Sequence, residues 1–219
     1  MAGGEPLQEY DIDTTTSELP GCGGSHRASA NDRHVDRLHG TFLSHVIGPT
    51  GGEGRFIDMS SGTSPVGVGD RAPDFTLRSQ SGEAVSLSDF LPDRVVVLYF
   101  YPKDNTAGCT AEACAFRDSH EVFVDAGAAV VGVSSDSVTS HEKFSGRHDL
   151  PFVLLSDPRG KVRKQYGVPN ALGLLPGRVT YVIDRHGVVR HVFSSMTNIS
   201  QHVGAALAVV QRLQAEDAA

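Results

Sequence analysis

Two cysteines, Cys109 and Cys114, stand five positions apart in a chain that has three. The first closes the segment Pro102-Lys103-Asp104-Asn105-Thr106-Ala107-Gly108-Cys109, directly after the apolar run Val95-Val96-Val97-Leu98-Tyr99-Phe100-Tyr101. That order predicts a buried strand, a turn built on Pro, Asn and Gly, then a helix opening at a cysteine. A thiol in the first turn of a helix meets unpaired backbone N–H groups and the positive end of the macrodipole. Both favour thiolate over thiol. The chemistry on offer is that of a sulfur nucleophile with a second thiol nearby.

The elements that must position these thiols lie C-terminal to residue 66. Ala72–Leu77 and Glu83–Leu87 bracket the turn Ser79-Gln80-Ser81-Gly82, a hairpin pattern. The strand at 95–101 is followed by a helix predicted over 109–126, stopped by Gly127. An apolar strand at 128–133 leads to Ser134-Ser135-Asp136-Ser137, which caps a helix over about 138–147. Another strand covers 152–155, and a short helix covers 160–166. Val179–Ile183 and Val188–Val192 form a second hairpin across Asp184-Arg185-His186-Gly187. Val203, Ala206, Leu207, Val210 and Leu213 mark one face of a closing helix over 199–214. Strands alternating with helices, closed by a hairpin and helix, imply an α/β fold whose mixed central sheet carries helices on both faces.

Residues 1–66 differ in texture. They are rich in Gly, Ser, Thr, Asp and His, show no sustained period, and carry a net charge of −5 against −2 for the remainder. Such a stretch buries too little to offset chain entropy and is expected to be disordered or a mis-assigned extension, with the folded domain spanning 67–219. Met59 is the expected true start, a reading that any native peptide from residues 1–58 would exclude as the sole start. The overall charge of −7 argues against a nucleic-acid surface. No apolar run approaches a membrane span. Three cysteines make no disulfide framework. The N-terminus lacks a secretory pattern, and Glu5, Glu9, Asp11, Asp13 and Glu18 precede its first basic residue, Arg27, unlike a transit peptide. The expected location is cytoplasmic. Cys22 with His26, His34, His39 and His45 matches no compact metal-ligand spacing, and no phosphate-binding glycine loop is present, so neither metal nor cofactor is expected. Asn198-Ile199-Ser200 fits a glycosylation acceptor that is idle without secretion.

The spacing of Pro102, Thr106 and Cys109 resembles the active-site motif of the peroxiredoxins. Cys114, five residues on, resembles their bacterioferritin-comigratory or Q-type subfamily. Ala72-Pro73-Asp74-Phe75, Ser134-Ser135-Asp136-Ser137, Leu155-Ser156-Asp157-Pro158 and Arg178-Val179-Thr180-Tyr181-Val182-Ile183-Asp184 extend the likeness in order from about 67 to 214. One departure is Ala107, where many relatives have Pro. The resemblance implies a thioredoxin-like fold and thiol-dependent reduction of hydrogen peroxide and organic hydroperoxides. It implies Cys109 as the attacking thiolate, Arg178 as its cation, Thr106 as a hydroxyl that orients the peroxide, and Pro102 as a shield. Cys114 would condense with the Cys109 sulfenic acid, and thioredoxin or a similar dithiol would reduce the disulfide. A resolving thiol on the same chain suits a monomer, with a weak dimer as the alternative.

Five helical residues rise about 7.5 Å, too far for a disulfide, so the turn holding both cysteines must unwind for the bond to close. The competing readings are a thioredoxin-like disulfide exchanger, opposed by the four residues between the cysteines, and a redox-signalling module. Glu112, Arg117 and Asp118 read as a solvated or structural charge set.

Overall fold

The computed structural model describes residues 65–171 and 175–218. The expected N-terminal extension and the Met59 start fall outside them, apart from Pro65 and Val66. Val66 already belongs to the folded body: its N–H donates to Tyr166 O at 3.2 Å and its side chain packs on the core.

The strands in chain order are β1 (Thr76–Ser79), β2 (Ala84–Ser86), β3 (Val95–Phe100), β4 (Ala128–Ser134), β5 (Val153–Ser156), β6 (Asn170–Ala171), β7 (Leu175–Pro176), β8 (Val179–Ile183) and β9 (Val189–Ser194). The helices are α1 (Ala107–Asp118), α2 (His120–Asp125), α3 (Val138–His148), α4 (Lys161–Gln165) and α5 (Ile199–Asp217), with a 3₁₀ turn at Leu87–Asp89. Seven strands form one sheet in the order β2-β1-β5-β4-β3-β8-β9, and β6 pairs with β7. The β3–β4 and β4–β5 pairs are parallel, whereas β3–β8, β8–β9, β1–β5 and β1–β2 are antiparallel. The mixed sheet expected from the alternating pattern is therefore present.

Every residue of β3 is buried. Because side chains alternate across a strand, its apolar run divides between two cores. Val95, Val97 and Tyr99 pack with Phe116, Phe123, Phe144 and Val210 on one side. Val96, Leu98 and Phe100 pack with Tyr166, Tyr181 and Ile183 on the other.

The helix predicted over 109–126 is two helices. Ser119, at φ −102° and ψ 3°, ends α1 and begins α2. Phe116 on α1 and Phe123 on α2 are both fully buried in the same core. α2 then stops at Gly127, whose φ of +72° is backbone that only glycine adopts without strain.

Candidate functional site

The segment from Pro102 to Thr106 is fixed from beneath by a buried polar network. The Asp104 carboxylate accepts from Tyr101 Oη at 2.8 Å and Ser140 Oγ at 2.7 Å, and lies 2.9 Å from His141 Nδ1. His141 Nε2 faces Leu155 O at 3.2 Å. The ring thus bridges the Asp104 carboxylate and the Leu155 carbonyl of β5. These donors hold the Asp104 carboxyl below the usual carboxylate range although burial pushes it up. Asp104 N donates to Asp136 Oδ2 at 2.8 Å, which ties the turn to the end of β4. This is the use of the Ser134-Ser135-Asp136-Ser137 cluster, together with Ser137 capping α3 through Ser140 N. Asn105 takes a φ of +58°, which suits its residue type.

Thr106 has extended N-cap backbone, and its carbonyl accepts from Thr110 N at 2.8 Å. Its side chain does not cap the helix; the hydroxyl donates to Lys103 O at 3.1 Å. Cys109 follows in the first turn of α1 as a free thiol, 2 % exposed. Cys114 lies five residues along the same unbroken helix, also buried. Pro102 is half-buried and Thr106 is exposed.

Arg178 arrives from the start of β8, on the strand beside β3. Its Nη2 donates to Cys109 Sγ at 3.4 Å, and its Nη1 donates to Glu112 Oε2. The guanidinium is nearly covered by protein. Gly108 makes room for it: a Cβ there would lie 3.2 Å from Arg178 Nη2. The residues singled out from the sequence are thus brought together in one arrangement: Cys109 contacted by Arg178, at the helix mouth formed by Thr106, with Pro102 at the start of the turn.

Glu112 corrects the reading of a solvated charge set. Arg117 and Asp118 do pair at the surface, but Glu112 is fully buried against Arg178. Burial pushes its carboxyl up to about 8, with the Arg178 charge pulling the other way. Its Oε1 has no hydrogen-bond partner among the described residues and sits 3.7 Å from His202 Nδ1. His202, fully buried on α5, contacts Thr180 Oγ1 at 2.7 Å and Ser195 O at 2.9 Å, and its burial favours the neutral ring. The signal for Glu112 was its place three residues after Cys109, on the same helix face.

Arg163 was missed as well. It is 5 % exposed, and its guanidinium donates to Tyr101 O and Gly177 O, both at 2.7 Å. α4, which carries it, is held by Asp157, whose carboxylate accepts from Lys161 N at 2.8 Å and Arg163 N at 3.0 Å.

Known proteins resemble this chain in sequence and in fold. The AhpC/TSA family pattern matches residues 68–192. "Peroxiredoxin Q, chloroplastic" of Oryza sativa subsp. japonica is 53% identical over 149 residues, covering 68% of this chain and 68% of that protein. The protein of the same name from Sedum lineare is 45% identical over 185 residues, covering 81% and 95%. Among solved structures, peroxidoxin BcpB from Mycobacterium tuberculosis superposes with a TM-score of 0.63 at 40% identity, covering 68% of this chain and 98% of that one. Peroxiredoxin Q from Xanthomonas campestris superposes with a TM-score of 0.59 at 30% identity, covering 64% and 91%. The fold is thioredoxin-like, as those structures are. The plant relatives are named as chloroplastic, which overturns the cytoplasmic location expected from the acidic N-terminus. Side-chain charge near the start of a chain is a weak guide to its destination.

Proposed function

This chain belongs to the AhpC/TSA family, among the Q-type peroxiredoxins, and on that premise we propose that Cys109 is the thiol that attacks hydroperoxides. The enzyme reduces hydrogen peroxide and organic hydroperoxides to water and alcohols, with thioredoxin or a similar dithiol as reductant. The observation that carries the site assignment is the buried 3.4 Å contact from Arg178 Nη2 to Cys109 Sγ. A guanidinium there stabilises sulfur as the anion and stays in place as charge moves to the departing oxygen.

In the reaction the Cys109 thiolate displaces the far oxygen of ROOH. The S–O bond forms, the O–O bond breaks, and RO⁻ leaves to be protonated as ROH. The thiolate is oxidised to sulfenic acid and the peroxide is reduced. Thr106, whose hydroxyl hydrogen is directed at Lys103 O, keeps lone pairs free to accept the peroxide O–H and orient it. Pro102 supplies no N–H, fixes the backbone of the turn and serves as a shield for the thiolate. Cys114 then attacks the sulfenic acid, forming the S–S bond and releasing water, and an external dithiol restores both thiols. Because α1 runs unbroken past both cysteines, this second step requires its first turns to unwind. Amide exchange over residues 106–116 is expected to speed up in the oxidised protein; equal protection in both redox states would contradict the intramolecular bond.

Stopped-flow mixing of reduced protein with peroxide tests the assignment. Fast loss of thiol, abolished in Cys109→Ser, is the expected result, and retained peroxide reactivity in that variant would refute it. A disulfide exchanger has no use for an arginine aimed at the sulfur beside an oriented hydroxyl. We place the enzyme in the plastid by analogy with its plant relatives. We propose a monomer with residues 67–219 as its catalytic domain, and mass measurement in solution checks the oligomeric state.

A further inference from the structure

The ladder between β3 and β8 ends at the pair Phe100–Val179. Beyond it each strand runs straight into the site: Tyr101 precedes Pro102 and Gly177 precedes Arg178. Past this last rung the β3–β8 backbone pairing no longer sets the distance between the two segments. Arg163 takes over there. Its two Nη groups donate to Tyr101 O and Gly177 O, both at 2.7 Å, and its guanidinium carbon lies 5.7 Å from the Phe100 ring centroid. Gly177 is itself pinned, because its N–H donates to Pro169 O at 2.9 Å and a Cβ would stand 2.2 Å from that oxygen.

We propose that Arg163 is a positioning residue for the peroxide reaction, its planar fork fixing the Pro102 turn against the Arg178 segment at one set separation. The inference rests on the peroxidase reading above and adds a residue to it. Arg163 is not itself in contact with the sulfur. Its charge nonetheless interacts with Cys109, which together with Asp157 opposes the weakening that burial imposes on the guanidinium. An arginine is required because two carbonyls must be held in one plane; an ammonium is a point donor and cannot hold both in that geometry. A misplacement of about 1 Å at a reacting centre can cost on the order of 100-fold in rate.

The test uses full-length Arg163→Lys and Arg163→Gln, with wild type and Cys109→Ser alongside. Two rates are read for Cys109: oxidation by hydrogen peroxide, and alkylation by iodoacetamide mapped by mass spectrometry. Alkylation needs the thiolate but neither an oriented peroxide nor a donor to its departing oxygen. In folded variants the peroxide rate is expected to fall by about 10–100-fold while alkylation stays within about threefold. A peroxide rate within threefold of wild type in a folded variant overturns the proposal. So does a parallel fall of both rates, and so does failure of both variants to fold, since each assigns Arg163 to general stability. If wild type ignores peroxide or Cys109→Ser consumes it, the peroxidase reading itself has failed, whatever Arg163 does.

Discussion

Replacing Arg178 by lysine separates charge from geometry at the sulfur. The native guanidinium serves two acceptors, Cys109 Sγ through Nη2 at 3.4 Å and the buried Glu112 carboxyl through Nη1. A lysine keeps the positive charge but has a single nitrogen, and Glu112, fully buried, competes for it. The sulfur then loses a directed donor at the moment charge passes to the leaving oxygen. One such donor typically contributes about 3–4 kcal/mol to a transition state, or roughly 100- to 1000-fold in rate at about 1.4 kcal/mol per decade. Folding stability changes much less, because the ammonium can still donate to the Glu112 carboxyl. Arg178→Met is the contrasting variant. It leaves the buried Glu112 carboxyl without its donor, and an unsatisfied buried polar group costs about 1–3 kcal/mol of stability. The assay is stopped-flow oxidation of reduced enzyme by peroxide, with thermal unfolding measured on the same samples. If Arg178→Lys oxidises within about fivefold of wild type, the bidentate geometry is irrelevant and the assignment of Arg178 to the transition state is wrong.

Three further outcomes follow from the same coordinates. Gly177→Ala sets a Cβ 2.2 Å from Pro169 O, so the backbone must move; a loss of about 1–3 kcal/mol is expected from such overpacking, read as a lowered thermal midpoint with reduced peroxidase activity. The Asp104 carboxyl is held below its ordinary value, so its contribution is present above the ordinary carboxylate range and is lost as pH falls through the depressed value. Asp104→Asn should therefore cost about 3 kcal/mol near neutrality and flatten the acid limb of the unfolding curve, and an unchanged acid limb would dismiss the buried pair as a stabilising element. Glu112 runs the other way: burial raises its carboxyl to about 8, so the folded protein holds a proton that the unfolded chain has lost. Its contribution is complete below the ordinary carboxylate value and declines as pH rises toward about 8, so Glu112→Gln should remove a fall in stability over that window.

Most of the site could be read in the sequence because its parts act locally. Pro102, Thr106 and Cys109 sit in one turn and one helix start, and backbone geometry there is set by neighbours in the chain. Arg178 was reachable through its place at the head of an apolar strand. What escaped are the groups whose roles exist only after folding. Glu112 sits in a helix beside surface charges, and nothing in its immediate sequence says that β8 delivers an arginine to it. Arg163 lies between Val162 and Lys164, in a stretch that reads as an ordinary basic helix end; its targets are backbone carbonyls 62 and 14 residues away, which carry no residue-type signature. The single long helix predicted over 109–126 failed for a related reason. Propensity allowed it to continue, and no glycine or proline marks the break at Ser119.

The start of α1 has to meet two opposed demands, and its residues show how. Attack on peroxide requires Cys109 to be held still beside Arg178; disulfide formation requires the same turn to come apart. The intrinsic supports of the turn are weak. Thr106 spends its hydroxyl on Lys103 O and gives no side-chain cap, which forgoes about 1 kcal/mol. Gly108 costs roughly another 1 kcal/mol against alanine inside a helix, and no acidic residue complements the dipole in the first turn. The strong supports are tertiary and lie on either side: the Asp104 network beneath the turn, and the Arg178–Glu112 pair across from the sulfur. A helix end held by its surroundings more than by itself can unwind locally while β3, β8 and the buried network stay in place. On this reasoning a stronger cap at position 106 would slow the disulfide step before it altered the first attack.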